Sequence, residues 1–274
     1  KLSSISKGGT NSRVQASVLS LYDNERATGP KEKGAPTTWE DADKKIGTQL
    51  DAIAAAGGNI TLLTSSIISP STKQIIADFS AKYKNVKHVS YDAISYSGII
   101  KANEQSFGKA VVPVYNFENA NVIVSFACDF LTNWVSPIEI SRQYASKRKV
   151  SEEKKEMSKH YQFESNLSLT GSNADERVGI KPSQLGAALI SLYNKVAGGT
   201  LSGKQLEFDA HITAAAKSLV EAKGKSLVVC GSNDPAHQVL VNAINAALNN
   251  YGSTIDIDNA NMLHQGNDAE VAAF

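Results

Sequence analysis

Two turns that contain cysteine are the positions in this sequence with the clearest capacity for chemistry. Cys128 and Asp129 follow the apolar run 122–126, and Cys230 ends the apolar run 226–230. A reactive thiol and a mutual disulfide are both open to these cysteines. A free cysteine more commonly serves as a small buried apolar side chain, and that role stays open beside the other two.

The turn that begins at Gly231 is the better candidate for binding an anion. The sequence Gly-Ser-Asn-Asp follows a strand there and opens a helix, and helix N-termini favour negative charge. A plain tight connection is the alternative, and it is the commoner use of such a turn. Gly57 and Gly58 precede a strand instead, so this pair does not form a dinucleotide-binding turn.

The histidines and cysteines predict no metal site. None of the histidines lies three or four residues from another histidine or from a cysteine; they are His88, His160, His211, His237 and His264. With only two cysteines, the chain lacks the four thiolates of a structural zinc or iron–sulfur site. No P-loop, G-x-G-x-x-G or G-x-S-x-G motif is present either. We therefore expect no catalytic residues and no metal.

Short apolar runs alternate along the chain with amphipathic segments. The strands are predicted at 59–64, 86–91, 122–126, 161–165 and 226–230, and the helices at 38–56, 71–84, 95–107, 137–147, 184–197, 208–222 and 236–248. This alternation predicts an α/β fold with a mainly parallel sheet and right-handed crossovers. The run 122–126 is continuous and rich in β-branched residues, which indicates a strand buried on both faces. Ligands bind at the carboxyl ends of such strands, so the turn after Phe126 is the predicted ligand mouth.

The bulk composition limits the partners of the chain. Lys and Arg total 28 against 27 Asp and Glu, a formal net charge of +1, so no global field attracts nucleic acid or an anionic membrane. No run approaches the roughly 18 apolar residues of a membrane-spanning helix. We expect no nucleic-acid partner and no direct membrane insertion. Because the chain begins at Lys1 without a leader, we expect a mature product or a piece of a longer protein.

Three stretches together resemble the molybdopterin oxidoreductases, the dimethyl sulfoxide reductase superfamily. They are 21–26 with Pro30 and 38–42, then 119–129, and then 169–175 with 180–184. In that family the second stretch ends in a turn against the cofactor, and the third helps to hold a guanine nucleotide. The resemblance implies two Rossmann-like lobes with mainly parallel sheets. We expect a flanking lobe from 1–58 plus 200–274 and an inserted central lobe from 59–199.

Within the superfamily, the phrases at 16–23, 130–137 and 167–175 resemble one branch. This branch is the molybdopterin-oxidoreductase-like domain of the large iron–sulfur subunit of bacterial alternative complex III, a quinol-oxidising membrane complex. The resemblance implies iron–sulfur clusters in a downstream ferredoxin-like domain of the same polypeptide, together with contacts to other subunits of the complex. It also implies a peripheral location on the periplasmic side of the bacterial inner membrane, through the complex.

Departures from the family pattern imply a vestigial cleft. Cys128 and Asp129 stand where a glycine and an asparagine would let backbone approach the pterin, and a carboxylate there repels phosphate. Glu164 stands where the family usually has an Asp-Pro-Arg turn, and Ser183 replaces an expected glycine. The other cleft positions that the resemblance gives are Asn173, Asp175 and Lys181. We therefore expect that the chain has lost molybdopterin and holds no cofactor of its own.

Two alternatives remain open. The chain is an active oxidoreductase fragment if a molybdopterin or guanine dinucleotide binds in the cleft between the lobes, at the mouth after Phe126. The preserved strand, turn and helix around that mouth favour this alternative. A thiol-dependent role for Cys128 is the second.

Overall fold

The computed structural model describes residue 3 and residues 6–274. In chain order its strands are β1 (Lys31–Glu32), β2 (Ala35–Pro36), β3 (Ile60–Thr64), β4 (Val86–Ser90), β5 (Val112–Tyr115), β6 (Val122–Phe126), β7 (Lys159–Glu164), β8 (Glu176–Gly179), β9 (Ser226–Cys230) and β10 (Ile255–Asn261). Its α-helices are α1 (Ser12–Ala16), α2 (Trp39–Ala55), α3 (Pro70–Lys82), α4 (Ser97–Phe107), α5 (Pro137–Arg148), α6 (Leu169–Ser172), α7 (Leu185–Ala197), α8 (Asp209–Glu221), α9 (Pro235–Ala247) and α10 (Asp268–Ala272). Short 3-10 helices cover Ser17–Tyr22, Phe117–Asn119 and Pro182–Gln184.

The chain divides into two compact units. The large unit comprises Lys1–Gly9 and Ile94–Gln265, and the small unit comprises Thr10–Ala93 and Gly266–Phe274. This division differs from the sequence prediction of lobes at 59–199 and at 1–58 plus 200–274. The difference arises because β9 pairs with β6 in one sheet, which joins residues 226–230 to the lobe predicted without them.

A four-stranded sheet forms the centre of the large unit, in the order β8-β7-β6-β9. Its strands are parallel, with Phe126 of β6 opposite Phe163 of β7 and Cys230 of β9. All five residues of β6 are buried. The prediction of a strand buried on both faces at 122–126 is therefore confirmed.

Helices cover both faces of this sheet. Val124 and Phe126 belong to an apolar cluster with residues of α7, α8 and α9. Ile123 points to the opposite face, where a second cluster contains residues of α4 and α5. Because successive strand residues alternate between faces, the continuous apolar run of β6 serves both clusters.

The strand β10 of the large unit was missed by the sequence prediction. β10 pairs antiparallel with β5, with Ile255 opposite Tyr115, whereas 255–274 has no clear period in the sequence. The register shifts between Asp256 and Ala260, and this irregularity accounts for the absence of a regular alternation. Among the described residues, β5 pairs with β10 alone.

The small unit contains the parallel pair β3 and β4 and few buried apolar side chains. Only Ile60, Tyr83 and Val89 of its large apolar residues are buried within the described residues. Neither α2 nor α3 has a buried residue. Across the part of the chain that the structure describes, no helix has the length and apolar character needed to cross a membrane.

Candidate functional site

The carboxyl ends of β6 and β9 meet directly in the large unit. A Cβ on Gly231, the first residue after β9, would lie 2.1 Å from the carbonyl oxygen of Ala127, the first residue after β6. No side chain fits at that distance, so the close approach of the two turns requires glycine there. Ala127 itself has a positive φ of 48°, a conformation that is uncommon outside glycine. The packing of the two turns is thus sufficient to explain why residue 231 is a glycine, and an anion-binding role is not needed to explain it.

The helix that follows Gly231 already carries an acidic cap. The Asp234 side chain accepts a hydrogen bond from the backbone N–H of Ala236 at 2.9 Å. The Ser232 hydroxyl accepts another from the Asp234 N–H at 3.1 Å. An anion at the start of α9 would meet the Asp234 carboxylate, so this helix start is a poor site for phosphate.

Asp129 ties the turn after β6 to the segment that begins α6. Its Oδ1 accepts hydrogen bonds from the backbone N–H and the hydroxyl of Thr170, at 3.1 and 2.7 Å. The Thr170 hydroxyl in turn accepts from the Leu131 N–H at 3.0 Å. Thr170 is fully buried. The backbone donor of Thr170 is therefore occupied by a carboxylate of the protein itself.

Glu164, at the end of β7, holds the same segment. Its carboxylate accepts from the backbone N–H and the hydroxyl of Ser168, at 3.1 and 2.6 Å. It also accepts from Arg177 Nε at 2.6 Å and from Gln162 Nε2 at 3.1 Å. Burial alone would raise the pKa of Glu164, but the hydrogen bonds from Ser168, Arg177 and Gln162 together lower it. Glu164 is thus an ionised, buried and fully bonded carboxylate.

Asn173 and Asp175 lie on the α5 side of the sheet. Arg148 donates to both carboxylate oxygens of Asp175, at 2.7 and 2.8 Å, and this bidentate pairing is the main reason that the pKa of Asp175 is lowered. The carbonyl oxygen of Asn173 accepts a hydrogen bond from the Tyr144 hydroxyl at 2.9 Å. Both predicted site residues therefore have structural partners.

Lys181 and Ser183 are placed after β8, and among the described residues neither forms a hydrogen bond with the Asp129 or Glu164 carboxylate. Both are exposed. Ser183 lies in the 3-10 helix that Lys181 precedes, and the Lys181 N–H donates to Gln184 at 2.9 Å. Of the predicted site residues, the structure thus links Asp129 with Glu164 through 168–170, and it does not bring Lys181 or Ser183 to them.

Both cysteines are free and buried. Cys128 belongs to the cluster on one face of the sheet and Cys230 to the cluster on the other, so they do not form the disulfide that the sequence left open. Burial raises the pKa of the Cys128 thiol well above its usual value and that of Cys230 to about 12. A thiolate is the reactive form of cysteine, and these sites disfavour it.

Sequence reasoning missed a buried polar network centred on His160. His160 Nε2 lies 3.2 Å from Gln162 Oε1, and Nδ1 lies 3.1 Å from the Tyr144 hydroxyl. The Gln162 amide nitrogen donates to Glu164, which links the His160 network to the carboxylate at the end of β7. Burial lowers the pKa of His160 to about 4. The detectable signal was polar residues at 160, 162 and 164 on one face of a buried strand.

A cavity of about 300 Å³ opens at the carboxyl ends of β6 and β9. Its polar lining includes Asp129, Asn133, Ser95 and Ser232. No lysine, arginine or histidine of the described residues lines it. Among those residues, likewise, no group of three or more His, Cys, Asp or Glu side chains is placed to hold a metal ion.

The residues at this mouth do not fit a pterin dinucleotide. Such a cofactor carries phosphates, and phosphate sites supply backbone N–H donors or cations. Here the N–H groups of Ser168 and Thr170 donate to Glu164 and Asp129, and the cavity offers a carboxylate without a lining cation.

The fold of this chain has counterparts among solved structures. The chain is similar to the formyltransferase/hydrolase complex from Methylorubrum extorquens, solved with methylofuran, with a TM-score of 0.53 and 13% identity over 77% of this chain and 56% of that one. It is also similar to acetylene hydratase from Pelobacter acetylenicus, with a TM-score of 0.51 and 10% identity over 84% of this chain and 35% of that one. The chain thus spans about half of the first protein and a third of the second.

These likenesses define the class of fold. The chain has an α/β fold with mainly parallel sheets that resembles the dimethyl sulfoxide reductase family fold, as the sequence resemblance implied. The similarity to molybdopterin oxidoreductase family proteins occurs at low identity, so it establishes the fold alone. No family model matches the chain, and no curated protein matches it.

Proposed function

We propose that this chain is a cofactor-free, molybdopterin-oxidoreductase-like scaffold domain of an iron–sulfur subunit. The subunit belongs to a membrane-bound, quinol-oxidising electron-transfer complex on the periplasmic side of a bacterial inner membrane. The fold class supports the molybdopterin-oxidoreductase-like part of this proposal. The sequence phrases at 16–23, 130–137 and 167–175 support the assignment to the complex.

One observation carries the cofactor-free role: the protein's own carboxylates occupy the donors at the strand ends. In the segment 168–170, the Ser168 N–H donates a hydrogen bond to Glu164 and the Thr170 N–H donates one to Asp129. A phosphate that replaced them would have to displace two ionised groups. At 4 Å, two like charges repel by about 4 kcal/mol at an effective dielectric constant of about 20. The same bonds hold the loop after β6 against the loop after β7, which is a structural role.

The small unit supplies surface for interaction. Between residues 14 and 91, twelve large apolar side chains are at least 40% exposed, against three that are buried. They include Leu19, Tyr22, Trp39 and Ile75. Apolar exposure on this scale is typical of surfaces that contact other polypeptides. The ferredoxin-like domain of the same polypeptide and other subunits of the complex are the partners that we propose.

Metal and pterin analysis tests the cofactor-free role. The chain would be expressed in a host that makes molybdopterin dinucleotides and purified beside a molybdoenzyme of that host. We expect no molybdenum or tungsten above background by mass spectrometry and no fluorescent pterin after oxidation, while the host enzyme carries both. Stoichiometric metal or pterin on this chain would overturn the cofactor-free role.

The open reading frame tests the assignment to the complex separately. We expect repeated four-cysteine cluster motifs downstream of the codon for Phe274, as a ferredoxin-like domain requires. A downstream sequence without such motifs would contradict the iron–sulfur subunit, whatever the metal analysis gives.

The second candidate is an active oxidoreductase fragment that binds a molybdopterin or guanine dinucleotide, and it would have to use the cavity at the ends of β6 and β9 although no cation lines it among the described residues. Ligand binding to the native state raises thermal stability. Stabilisation by guanosine diphosphate, but not by an equal concentration of pyrophosphate, would support this candidate. No shift with either compound would leave the scaffold role standing.

A further inference from the structure

We infer that the cavity at the ends of β6 and β9 is a binding site for a primary ammonium group on a short alkyl chain. The inference goes beyond the scaffold role and does not depend on it, because it concerns a small cationic ligand rather than a cofactor or a docking face. Its central residue is Asp129, which lines the cavity and is half-buried.

The Asp129 carboxylate has one oxygen available. Both hydrogen bonds from Thr170 go to Oδ1. Oδ2 has no hydrogen-bond partner among the described residues, and no lysine, arginine or histidine there forms an ion pair with Asp129. A half-buried carboxylate without a counter-ion costs free energy, and an incoming cation recovers it.

Further oxygen acceptors surround the same space. The side chain of Asn133 lines the cavity and makes no hydrogen bond within the described chain. Within the described part of the chain, the Ser95 hydroxyl accepts only from the Ser97 N–H, at 3.1 Å, which leaves it a second lone pair. An ammonium group has three N–H donors in a tripod. Asp129 Oδ2, the Asn133 amide oxygen and the Ser95 hydroxyl provide one acceptor for each.

The rest of the lining suits an alkyl chain. Ile94, Ile99, Tyr96 and Trp134 contribute apolar surface to the cavity. The volume of about 300 Å³ lies at the lower end of small-ligand pockets. An ammonium head on a short alkyl chain fits this combination of one negative charge and apolar walls, but a phosphate does not. The ammonium group comes either from a free alkylamine or from a lysine side chain of another polypeptide.

Calorimetric titration with n-butylammonium chloride tests the inference. The matched neutral probe is n-butanol, and sodium chloride at equal concentration controls for ionic strength. We expect n-butylammonium to bind and n-butanol to bind at least about tenfold more weakly, the equivalent of 1.4 kcal/mol. Failure of n-butylammonium to bind, or equal binding of both probes, would overturn the inference.

Two variants locate the site. Asp129→Asn keeps an oxygen for Thr170 and removes the charge, so n-butylammonium binding should weaken about tenfold or more. Glu221→Gln removes an exposed carboxylate of α8, whose side chain is 65% exposed, and should change nothing. If Asp129→Asn fails to fold, Asn133→Leu fills the cavity without loss of a side-chain hydrogen bond and should abolish binding. If the variant that folds binds n-butylammonium as tightly as the wild type does, the assignment of the site to this cavity is overturned.

The source of the ammonium group is decided by a second probe. A capped glycyl-lysyl-glycine peptide presents the same head group on a polypeptide. Binding of both probes, with the same loss on Asp129→Asn, indicates a site open to protein lysines. Binding of n-butylammonium alone indicates a free amine. Binding of the peptide alone, unaffected by Asp129→Asn, would contradict the inferred site.

Discussion

Gly171 lies against the Glu164 carboxylate so closely that a Cβ at residue 171 would stand 1.9 Å from Oε1. The carboxylate cannot move aside freely, because Ser168, Gln162 and Arg177 hold it by hydrogen bonds. The first turn of α6 therefore fits the end of β7 in two ways. Gly171 leaves room for the Glu164 carboxylate, and Ser168 donates hydrogen bonds to it. This contact fixes where the loop after β7 lies.

Gly171→Ala should destabilise the large unit by about 1–3 kcal/mol, since the added methyl group displaces Glu164 from its donors. Gly179→Ala on the neighbouring strand β8 is the matched control, because a Cβ there has no atom within 4 Å. Its cost should stay within about 0.5 kcal/mol. Urea denaturation followed by circular dichroism measures both. Equal effects of the two substitutions would contradict the close fit.

His160 should make the stability of the large unit depend on pH. The imidazole has an ordinary pKa near 6.5, and burial lowers it to about 4 in the folded chain. Between these values the unfolded state binds more protons, so the free energy of unfolding falls as pH falls from about 6.5 to 4. The full loss is roughly 3 kcal/mol, and stability above pH 6.5 is unaffected by this group.

Denaturation at a series of pH values, with His160→Gln and His211→Gln, checks this expectation. Glutamine does not titrate, so the first variant should have a flatter profile between pH 6.5 and 4. His211 has a side chain that is 52% exposed, and its replacement should preserve most of the slope. A wild-type profile that is flat across this range would show that His160 titrates normally.

Parts of this structure follow from sequence, and others depend on long-range pairing. The burial of 122–126 was predictable from its residues, because a continuous β-branched segment is typical of a strand covered on both faces. β10 gave no such signal, since its Asp and Asn residues have low strand propensity and its register is interrupted. The sheet order placed β9 beside β6, a neighbour relation that spacing along the chain does not encode. The predicted lobe boundaries differ from the observed units for that reason.

The sequence singled out Asp129 and Glu164 but not the segment that joins them. The family pattern singled out Asp129 and Glu164 as residues that disfavour phosphate, and the structure shows both accepting backbone hydrogen bonds from one segment. Their common partner was not predictable, because 168–170 is a polar loop in the sequence and its contact with Asp129 spans 41 residues. The contact between Tyr144 and His160, which are 16 residues apart in the sequence, was not predictable either, since each residue alone has the pattern of an ordinary buried residue.

The Arg148–Asp175 pair should contribute more than a surface ion pair. The two side chains are only 17% and 26% exposed, and Arg148 also donates to the Ser158 carbonyl at 2.6 Å. Arg148→Met removes these charge-assisted hydrogen bonds and leaves Asp175 without its main partner. We expect a loss of about 2 kcal/mol in the free energy of unfolding.

Lys217→Met is the control for that substitution. Lys217 forms an i,i+4 pair with Glu221 on α8, and its side chain is 77% exposed. Such pairs contribute about 0.3–0.5 kcal/mol. If Arg148→Met costs no more than Lys217→Met in urea denaturation, the half-buried pair of Arg148 and Asp175 has no special role in holding α5 to the sheet.

The small unit should open more readily than the large unit in the isolated chain. β6 has five buried residues, whereas in β3 only Ile60 is buried and Leu63 is 50% exposed. Local stability follows the burial of apolar contacts around a strand. Hydrogen exchange measured by mass spectrometry should therefore find the amides of β3 exchanging well before those of β6.

Ile75→Glu, on the exposed surface of α3, should leave the exchange of both strands unchanged, because Ile75 is 66% exposed. Equal protection of β3 and β6, or faster exchange of β3 after Ile75→Glu, would mean that the small unit is already covered in the isolated chain and offers no free surface for partners.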